Sequence, residues 1–302
     1  MSEITEQYDA YPYPERDPED ERRRLVTGSP SDLREIEHFL FAGRRDWSRP
    51  FRVLVAGGGT GDGLVMLAQK MADKRCPAEI VYLDLSRAAR DIAEARARVR
   101  GLASIAFHTA SLLDAAEFGR FDYIDCCGVL HHLPDPQAGF DALAGALAPG
   151  GGIGLMVYAP HGRSGVYPLQ SAFGRLLHGP PEARLRAARA IAARLPEGHP
   201  FRLNPHLGDH ERSDAGFYDL LLHAQDRPFT IADLLDALDR AGLAMTGTPN
   251  AHLYDPAPIV GDAADLSGLS ARARMSLAEE LAGTIRLHVL YATRAGDAER
   301  PA

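Results

Sequence analysis

Lysine is almost missing from this 302-residue chain. It occurs only at Lys70 and Lys74, so the 33 basic residues are nearly all arginine, set against 41 acidic ones for a net charge of −8. A broad nucleic-acid footprint needs a basic surface to neutralise phosphates, so bulk nucleic acid is not an expected partner. Cysteine is scarce as well. Cys76, Cys126 and Cys127 show no CxxC spacing, which argues against a disulfide framework, and the adjacent pair lies in an apolar strand where free thiols act as small buried hydrophobes. No run of about 18 apolar residues occurs, and Met1 to Arg24 contains no apolar h-region. Neither a membrane span nor an export signal is expected, and the expected compartment is the cytoplasm. The arginine bias and abundant alanine read as a coding composition of bacterial kind. Hydrophobic residues make up 45% of the chain, ample for a packed core in one large domain or two small ones.

What is present is a strand that runs into a glycine turn, Val53-Leu54-Val55-Ala56-Gly57-Gly58-Gly59-Thr60-Gly61-Asp62-Gly63, followed one helix later by Val81-Tyr82-Leu83-Asp84-Leu85-Ser86. A dinucleotide turn spaces its glycines at i, i+2 and i+5. Here Asp62 takes the last position counted from Gly57, and Leu64 takes it counted from Gly59. The remaining Gly57-x-Gly59-x-Gly61 lets the backbone approach a bulky ligand that need not carry phosphate, which favours an amino-acid nucleoside over NAD. Asp84, an acceptor-only carboxylate at the end of the second strand, can take both hydroxyls of an adenosine ribose and would repel a 2′-phosphate. The plainer alternative is a tight strand-to-helix turn, with Asp84 capping the helix that begins near Ser86.

From Val53 to about Tyr158 the chain resembles a class I S-adenosylmethionine-dependent methyltransferase. The likeness rests on the glycine turn, on Tyr82-Leu83-Asp84-Leu85-Ser86, on the fourth-strand block Phe121-Asp122-Tyr123-Ile124-Asp125-Cys126-Cys127-Gly128-Val129-Leu130-His131-His132-Leu133-Pro134-Asp135, and on Leu147-Ala148-Pro149-Gly150-Gly151-Gly152. Ala110-Ser111-Leu112-Leu113-Asp114 stands where the family contacts adenine. The resemblance implies an α/β fold: a Rossmann-like, seven-stranded, doubly wound sheet with a helical and loop region inserted after strand five. It implies S-adenosylmethionine as cofactor, held by Gly57, Gly59, Gly61, Asp84, Leu85, Ser111, Leu112 and Gly128. It also implies methyl transfer to a small-molecule or protein acceptor. Two positions depart from the family pattern: Val55 where many members carry an acid for the methionine end, and Ser111 where an aspartate usually takes the adenine amine.

Apolar periodicity predicts strands at 53–56, 80–84, 104–108, 121–127 and 152–158, with helices at 61–73, 86–100 and 137–147 between them. This alternation implies a parallel sheet covered on both faces. The chain divides into an N-terminal arm and lid helix (1–50), the cofactor-binding core (51–158), an insertion expected to bind the acceptor (159–227) and the C-terminal part of the core (228–295). The first 24 residues or so show no helical period of their own, whereas 30–44 carries one apolar stripe. The insertion holds a helix near 182–195 and a loop-like stretch from Gly198 to Asp214. Beyond it come a helix capped by Thr230, a sixth strand over 243–248, a helix over 270–282 and a seventh strand over 285–293.

Methyl transfer from a sulfonium is an in-line displacement whose leaving group needs no protonation, so alignment provides most of the rate. The candidate catalytic base is His131, beyond strand four, where an imidazole could deprotonate a hydroxyl or ammonium. Otherwise, His131 and His132 simply open the next helix. Tyr8, Tyr11 and Tyr13 could fold over the pocket as a lid. Tyr158, His161, Arg163 and Tyr167 are expected to open the acceptor pocket, and Tyr218, His223 and Arg227 to close it. His199, His206, His210 and His223 match no recurrent ligand spacing, and no metal is expected. No Asn/Asp-Pro-Pro-aromatic tetrad follows strand four, which lowers adenine and glutamine-amide acceptors. The absent acid at Val55 keeps open a non-catalytic S-adenosylmethionine-binding assembly or regulatory protein, and an NAD oxidoreductase is disfavoured by the glycine spacing. The sequence leaves the oligomeric state open.

Overall fold

Seven apolar runs pair into one mixed sheet in the computed structural model, which describes residues 3–297. The strands are β1 (Phe51–Ala56), β2 (Ala78–Asp84), β3 (Ile105–Thr109), β4 (Phe121–Cys127), β5 (Leu147–Tyr158), β6 (Leu243–Gly247) and β7 (Leu287–Arg294), in the order β3-β2-β1-β4-β5-β7-β6. Strands β1 to β5 are parallel as expected, but β7 runs antiparallel to both β5 and β6. Periodicity could not reveal this reversal. Residues His288 to Thr293 are all buried, as in any strand covered on both faces, and burial carries no information about direction.

The helices are α1 (Glu3–Ala10), α2 (Leu33–Phe41), α3 (Asp62–Asp73), α4 (Arg87–Val99), α5 (Pro136–Ala146), α6 (Val166–Leu176), α7 (Pro181–Ala192), α8 (Pro200–Leu203), α9 (Asp209–Arg212), α10 (Asp214–Leu222), α11 (Ile231–Arg240), α12 (Ala257–Val260) and α13 (Ala271–Ala282). Their boundaries follow local chemistry. Ser86 Oγ accepts from Ala89 N to start α4, Asp135 accepts from Gln137 N ahead of Pro136 in α5, and Thr230 with Asp233 forms a capping box on α11.

Successive residues of β1 point to opposite faces. Leu54 and Ala56 join a cluster with Leu83, Ile124, Leu155, Phe140, Leu143 and Leu234, whereas Val53 and Val55 join Leu33, Ile36, Leu64, Leu67, Tyr82 and Tyr123. The sheet is therefore wound on both sides, and each fully buried leucine or valine contributes about 1.5–3 kcal/mol. A third cluster lies inside the insertion, where Val166, Phe173, Leu185, Phe217 and Leu221 pack together and Tyr11 of the arm joins them.

Two expectations change. The arm begins as a helix, α1, which lies against α4 and α7. Tertiary packing supports a helix whose own pattern is weak. The stretch expected to be a loop from Gly198 to Asp214 contains the single-turn helices α8 and α9, which begin after His199 and Gly208. The order of crossovers reverses between β1 and β4, which opens a crevice beyond the strand C-termini, where α/β sheets bind ligands.

Candidate active site

The crevice is organised by the glycine turn. Gly57 N and Gly58 N donate to Leu83 O at 2.8 and 3.1 Å, holding the turn against the end of β2. Gly57 has φ +70°, and a Cβ there would meet Val129 at 2.5 Å, so the turn lies directly beside the segment after β4. Gly59 has φ +52°, and its Cβ would meet the Tyr13 carbonyl oxygen at 2.8 Å. Both conformations favour glycine, and both positions have no room for a side chain. Gly61 is different. Its Cβ would strike Ala93 of α4 at 2.9 Å, so this glycine serves helix packing.

Asp84 stands inside the turn. Its Oδ2 accepts from Gly59 N and its Oδ1 from Ser86 N, both at 2.8 Å. Burial raises its pKa, and these backbone bonds oppose the rise. A carboxylate has about four acceptor positions. Asp84 therefore keeps capacity for ribose hydroxyls while being held in place, and the residues fit an adenosyl group. Ala110 N donates to Asp84 O at 3.0 Å, which brings the Ser111 segment to the same edge. Ser111 caps the 3-10 turn over Leu112–Phe118, Leu112 is buried, and Leu85 is 47% exposed at the rim. Gly128, at φ +79°, is tied to Met156 O at the end of β4. Cys126 is buried as expected, but Cys127, the last residue of β4, is exposed at this edge.

The arm crosses this turn. Thr60 Oγ1 donates to Pro14 O at 2.6 Å, and Arg16 forks onto Asp62 at 2.8 and 2.6 Å. Burial pushes the Asp62 carboxyl up, but Arg16 and Arg96 hold it below its ordinary value. Arg96 is fully buried and bonds Glu21, Asp62 and the Thr60 carbonyl. Further along, Ser86 Oγ donates to Asp9, Tyr8 Oη meets His223 Nε2 at 2.8 Å, and Tyr11 stacks on Tyr218 at 5.1 Å. The arm thus spans the glycine turn and the insertion.

Beyond β4 and β5 lies a buried polar cluster. His132 and His223 stack at 3.7 Å, the Arg163 guanidinium lies 3.7 Å from the Tyr158 ring centre, and Tyr158 Oη donates to Asp219 Oδ2 at 3.0 Å. Burial lowers the pKa of His131, with the positive charge of His132, Arg163 and His223 adding to it. His223 is lowered by burial too, and burial raises Asp219.

Hydrogen bonds set which ring nitrogen of each imidazole carries the proton in its neutral form. Tyr158 N donates to His131 Nδ1 at 3.4 Å, which leaves the proton on Nε2, a buried atom with no partner among the described residues. His132 Nδ1 lies 2.8 Å from the Gln225 carbonyl, which can only accept, so its lone pair is on Nε2. Gln225 N donates to His223 Nδ1 at 3.0 Å, leaving His223 Nε2–H for Tyr8.

The expected pocket residues divide. Tyr158, Arg163, Tyr167 and His223 gather here, and Arg227 is tied to it by its backbone N–H on His131 O. His161 turns instead to Glu279 at 3.2 Å, and His199 caps α8. Ligand atoms of His132, Asp219 and His223 lie within 4.8 Å of one another, as do those of His131, His132 and Asp226. His131 directs a proton into the cluster, however, and both nitrogens of His223 are already bonded, so a cation would have to break those bonds. Asp219 and Asp226 were not singled out from sequence. Their partners lie far away in the chain, and the apolar run of α10 around Asp219 was the only available sign of a buried acid.

Residues 54–153 match the family described as a methyltransferase domain. An uncharacterized protein of Synechococcus sp. is 32% identical over 271 residues, 84% of this chain and 61% of that protein. A ubiquinone biosynthesis O-methyltransferase of Ralstonia nicotianae is 34% identical over 115 residues, 36% of this chain and 47% of that protein. The chain thus spans about half to three-fifths of the length of these relatives. Among solved structures, PKMT2 from Rickettsia typhi superposes with a TM-score of 0.61 at 14% identity, over 82% of this chain and 49% of that one, and shares the fold. The same protein in complex with AdoHcy superposes with a TM-score of 0.56. On the matched domain, the sheet order and the glycine turn with its acid, residues 54–153 are a methyltransferase domain of the class I S-adenosylmethionine-dependent kind.

Proposed function

We propose that this protein transfers a methyl group from S-adenosylmethionine to a hydroxyl of a small molecule. The carrying observation is the carboxylate of Asp84 held within the glycine turn by Gly59 and Ser86 N–H groups. The cofactor supplies an electrophilic methyl group. Gly57 and Gly59 give the backbone close approach, Asp84 takes the ribose hydroxyls, and Leu85, Ser111, Leu112 and Gly128 border the nucleoside. Gly61 contributes by seating α3 against Ala93.

The polar cluster receives the acceptor. His132, with its Nε2 lone pair available, is the base that takes the hydroxyl proton. His131 directs Nε2–H at the acceptor and fixes its orientation. A base at His131 itself would need the opposite tautomer and the loss of the Tyr158 N–H bond. Residues 1–50 act as arm and lid, 51–158 as the cofactor-binding core, 159–227 as the acceptor-binding region and 228–295 as the remainder of the core. An O-methyltransferase among the sequence relatives and the enclosed cluster both favour a small hydroxylated acceptor over a protein side chain. The net negative charge speaks against bulk nucleic acid, and no described helix is long and apolar enough to cross a membrane. A cytoplasmic site of action accords with the few cysteines.

The test is labelled-methyl transfer into fractionated cell extract by the wild type and by His132→Ala. A labelled small molecule, with transfer reduced about 10²-fold or more in the variant at unchanged S-adenosylhomocysteine affinity, is expected. Label confined to protein, or unchanged turnover in the variant, would contradict this reading. Cofactor binding with no labelled product in any fraction would favour the non-catalytic alternative.

A further inference from the structure

Arg163 is buried, with 5% of its surface exposed, yet its Nε and Nη2 have no hydrogen-bond partner among the described residues. The carboxylate oxygen it pairs with, Asp226 Oδ2, is 3.7 Å from Nη2 and already accepts from Gln170 Nε2 at 2.9 Å. Nε and Nη2 form the side of a guanidinium that grips a carboxylate with two parallel bonds. Elsewhere this chain uses that edge for that purpose: Arg16 on Asp62 at 2.8 and 2.6 Å, and Arg34 on Asp32 at 3.2 and 2.9 Å. Arg163 holds the same edge ready inside the molecule, where an unpaired donor is costly and rarely kept without a purpose.

Other unpartnered buried atoms belong to the same cluster: Tyr167 Oη, His131 Nε2 and Asp226 Oδ1. A cavity of about 580 Å³ lined by Tyr167, Gln170, His223 and Asp226, among others, borders the Tyr167 and Asp226 side of this cluster; Arg163, His131 and His132 are not part of its lining. Asp219 and Asp226 face the same guanidinium, and burial raises the pKa of Asp219, which lessens the charge opposing an added carboxylate; a dianion would meet more of it.

We infer that the acceptor carries a carboxylate that docks on the Nε and Nη2 edge of Arg163, with a hydrogen-bond donor of the same molecule on Asp226 Oδ1. This inference rests on the acceptor site proposed above. It makes Arg163 a specificity-determining residue: the carboxylate anchors the molecule, and the hydroxyl is left facing His131 and His132.

The complex with S-adenosylhomocysteine is titrated calorimetrically with lactate, salicylate, L-serine and L-tyrosine, each beside its neutral amide. At least one carboxylate is expected to bind ten-fold or more tightly than its amide. Arg163→Lys, which keeps the charge without the fork, loses most of that preference, and Arg163→Met loses all of it, with S-adenosylhomocysteine affinity unchanged in both. No preference across the panel, or a preference intact in Arg163→Met, overturns the inference. Failure of the wild type to bind S-adenosylhomocysteine at all would instead count against the methyltransferase reading. The Lys variant and the S-adenosylhomocysteine titration together guard against a misfolded Met variant.

Discussion

Asp125 illustrates what one buried acid does to the whole protein. It is 2% exposed on β4, accepts from Ser31 Oγ at 2.7 Å and Tyr123 Oη at 3.3 Å, and burial pushes its pKa up to about 6 despite these bonds. The folded state therefore binds the proton more tightly than the unfolded state, whose carboxyl titrates near 3.8. The contribution to stability is fully present below pH 4 and lost as the pH rises through about 6. Between these limits the loss is about 3 kcal/mol. Asp125→Asn, which keeps an acceptor for both hydroxyls, should flatten the stability profile across pH 4–7 in urea titrations; an unchanged profile would place the titration elsewhere. Glu21 carries the opposite kind of burden. Its oxygens hold the fully buried Arg96 and the part-buried Arg100, and Glu21→Gln leaves Arg96 with Asp62 as its one carboxylate and Arg100 with none. A loss of about 3–5 kcal/mol is expected in equilibrium unfolding, and a loss below 1 kcal/mol would mean the pair is solvated.

At the scale of the element, the arm is the part whose position matters most. Its backbone touches the glycine turn through Tyr13 and Pro14, Arg16 grips Asp62 at the start of α3, and Tyr8 reaches His223. One segment therefore contacts both the glycine turn and the buried polar cluster. Removing residues 1–16 should weaken S-adenosylhomocysteine binding ten-fold or more and speed its release, as measured by stopped-flow fluorescence. Thr60→Val, which deletes only the hydroxyl on Pro14, should show a smaller change of the same sign. Equal release rates in the full and shortened chains would make the arm a passive cover.

Across the whole molecule, the parts that repeat were legible and those that depend on distant partners were not. The strands from Phe51 to Tyr158 and the helices between them follow from apolar periodicity, and Thr230 marks the start of α11 by local chemistry alone. Gly57, Gly59 and Asp84 were legible because a tight turn and an acid at a strand end leave marks in adjacent residues. The helix α1 was not, since its support comes from α4 and α7, and neither was the direction of β7. Asp219, Asp226 and the tautomers of His131 and His132 were hidden for the same reason: Tyr158, Gln170 and Gln225 set them from up to 93 residues away. The central claim is that Asp84, fixed within the glycine turn, holds the ribose of an adenosyl cofactor. Calorimetric titration of S-adenosylhomocysteine into the wild type and into Asp84→Asn tests it most directly. One site per chain, weakened ten-fold or more by the substitution, is the result this account predicts; equal affinity in the two proteins, or no binding to the wild type, would contradict it.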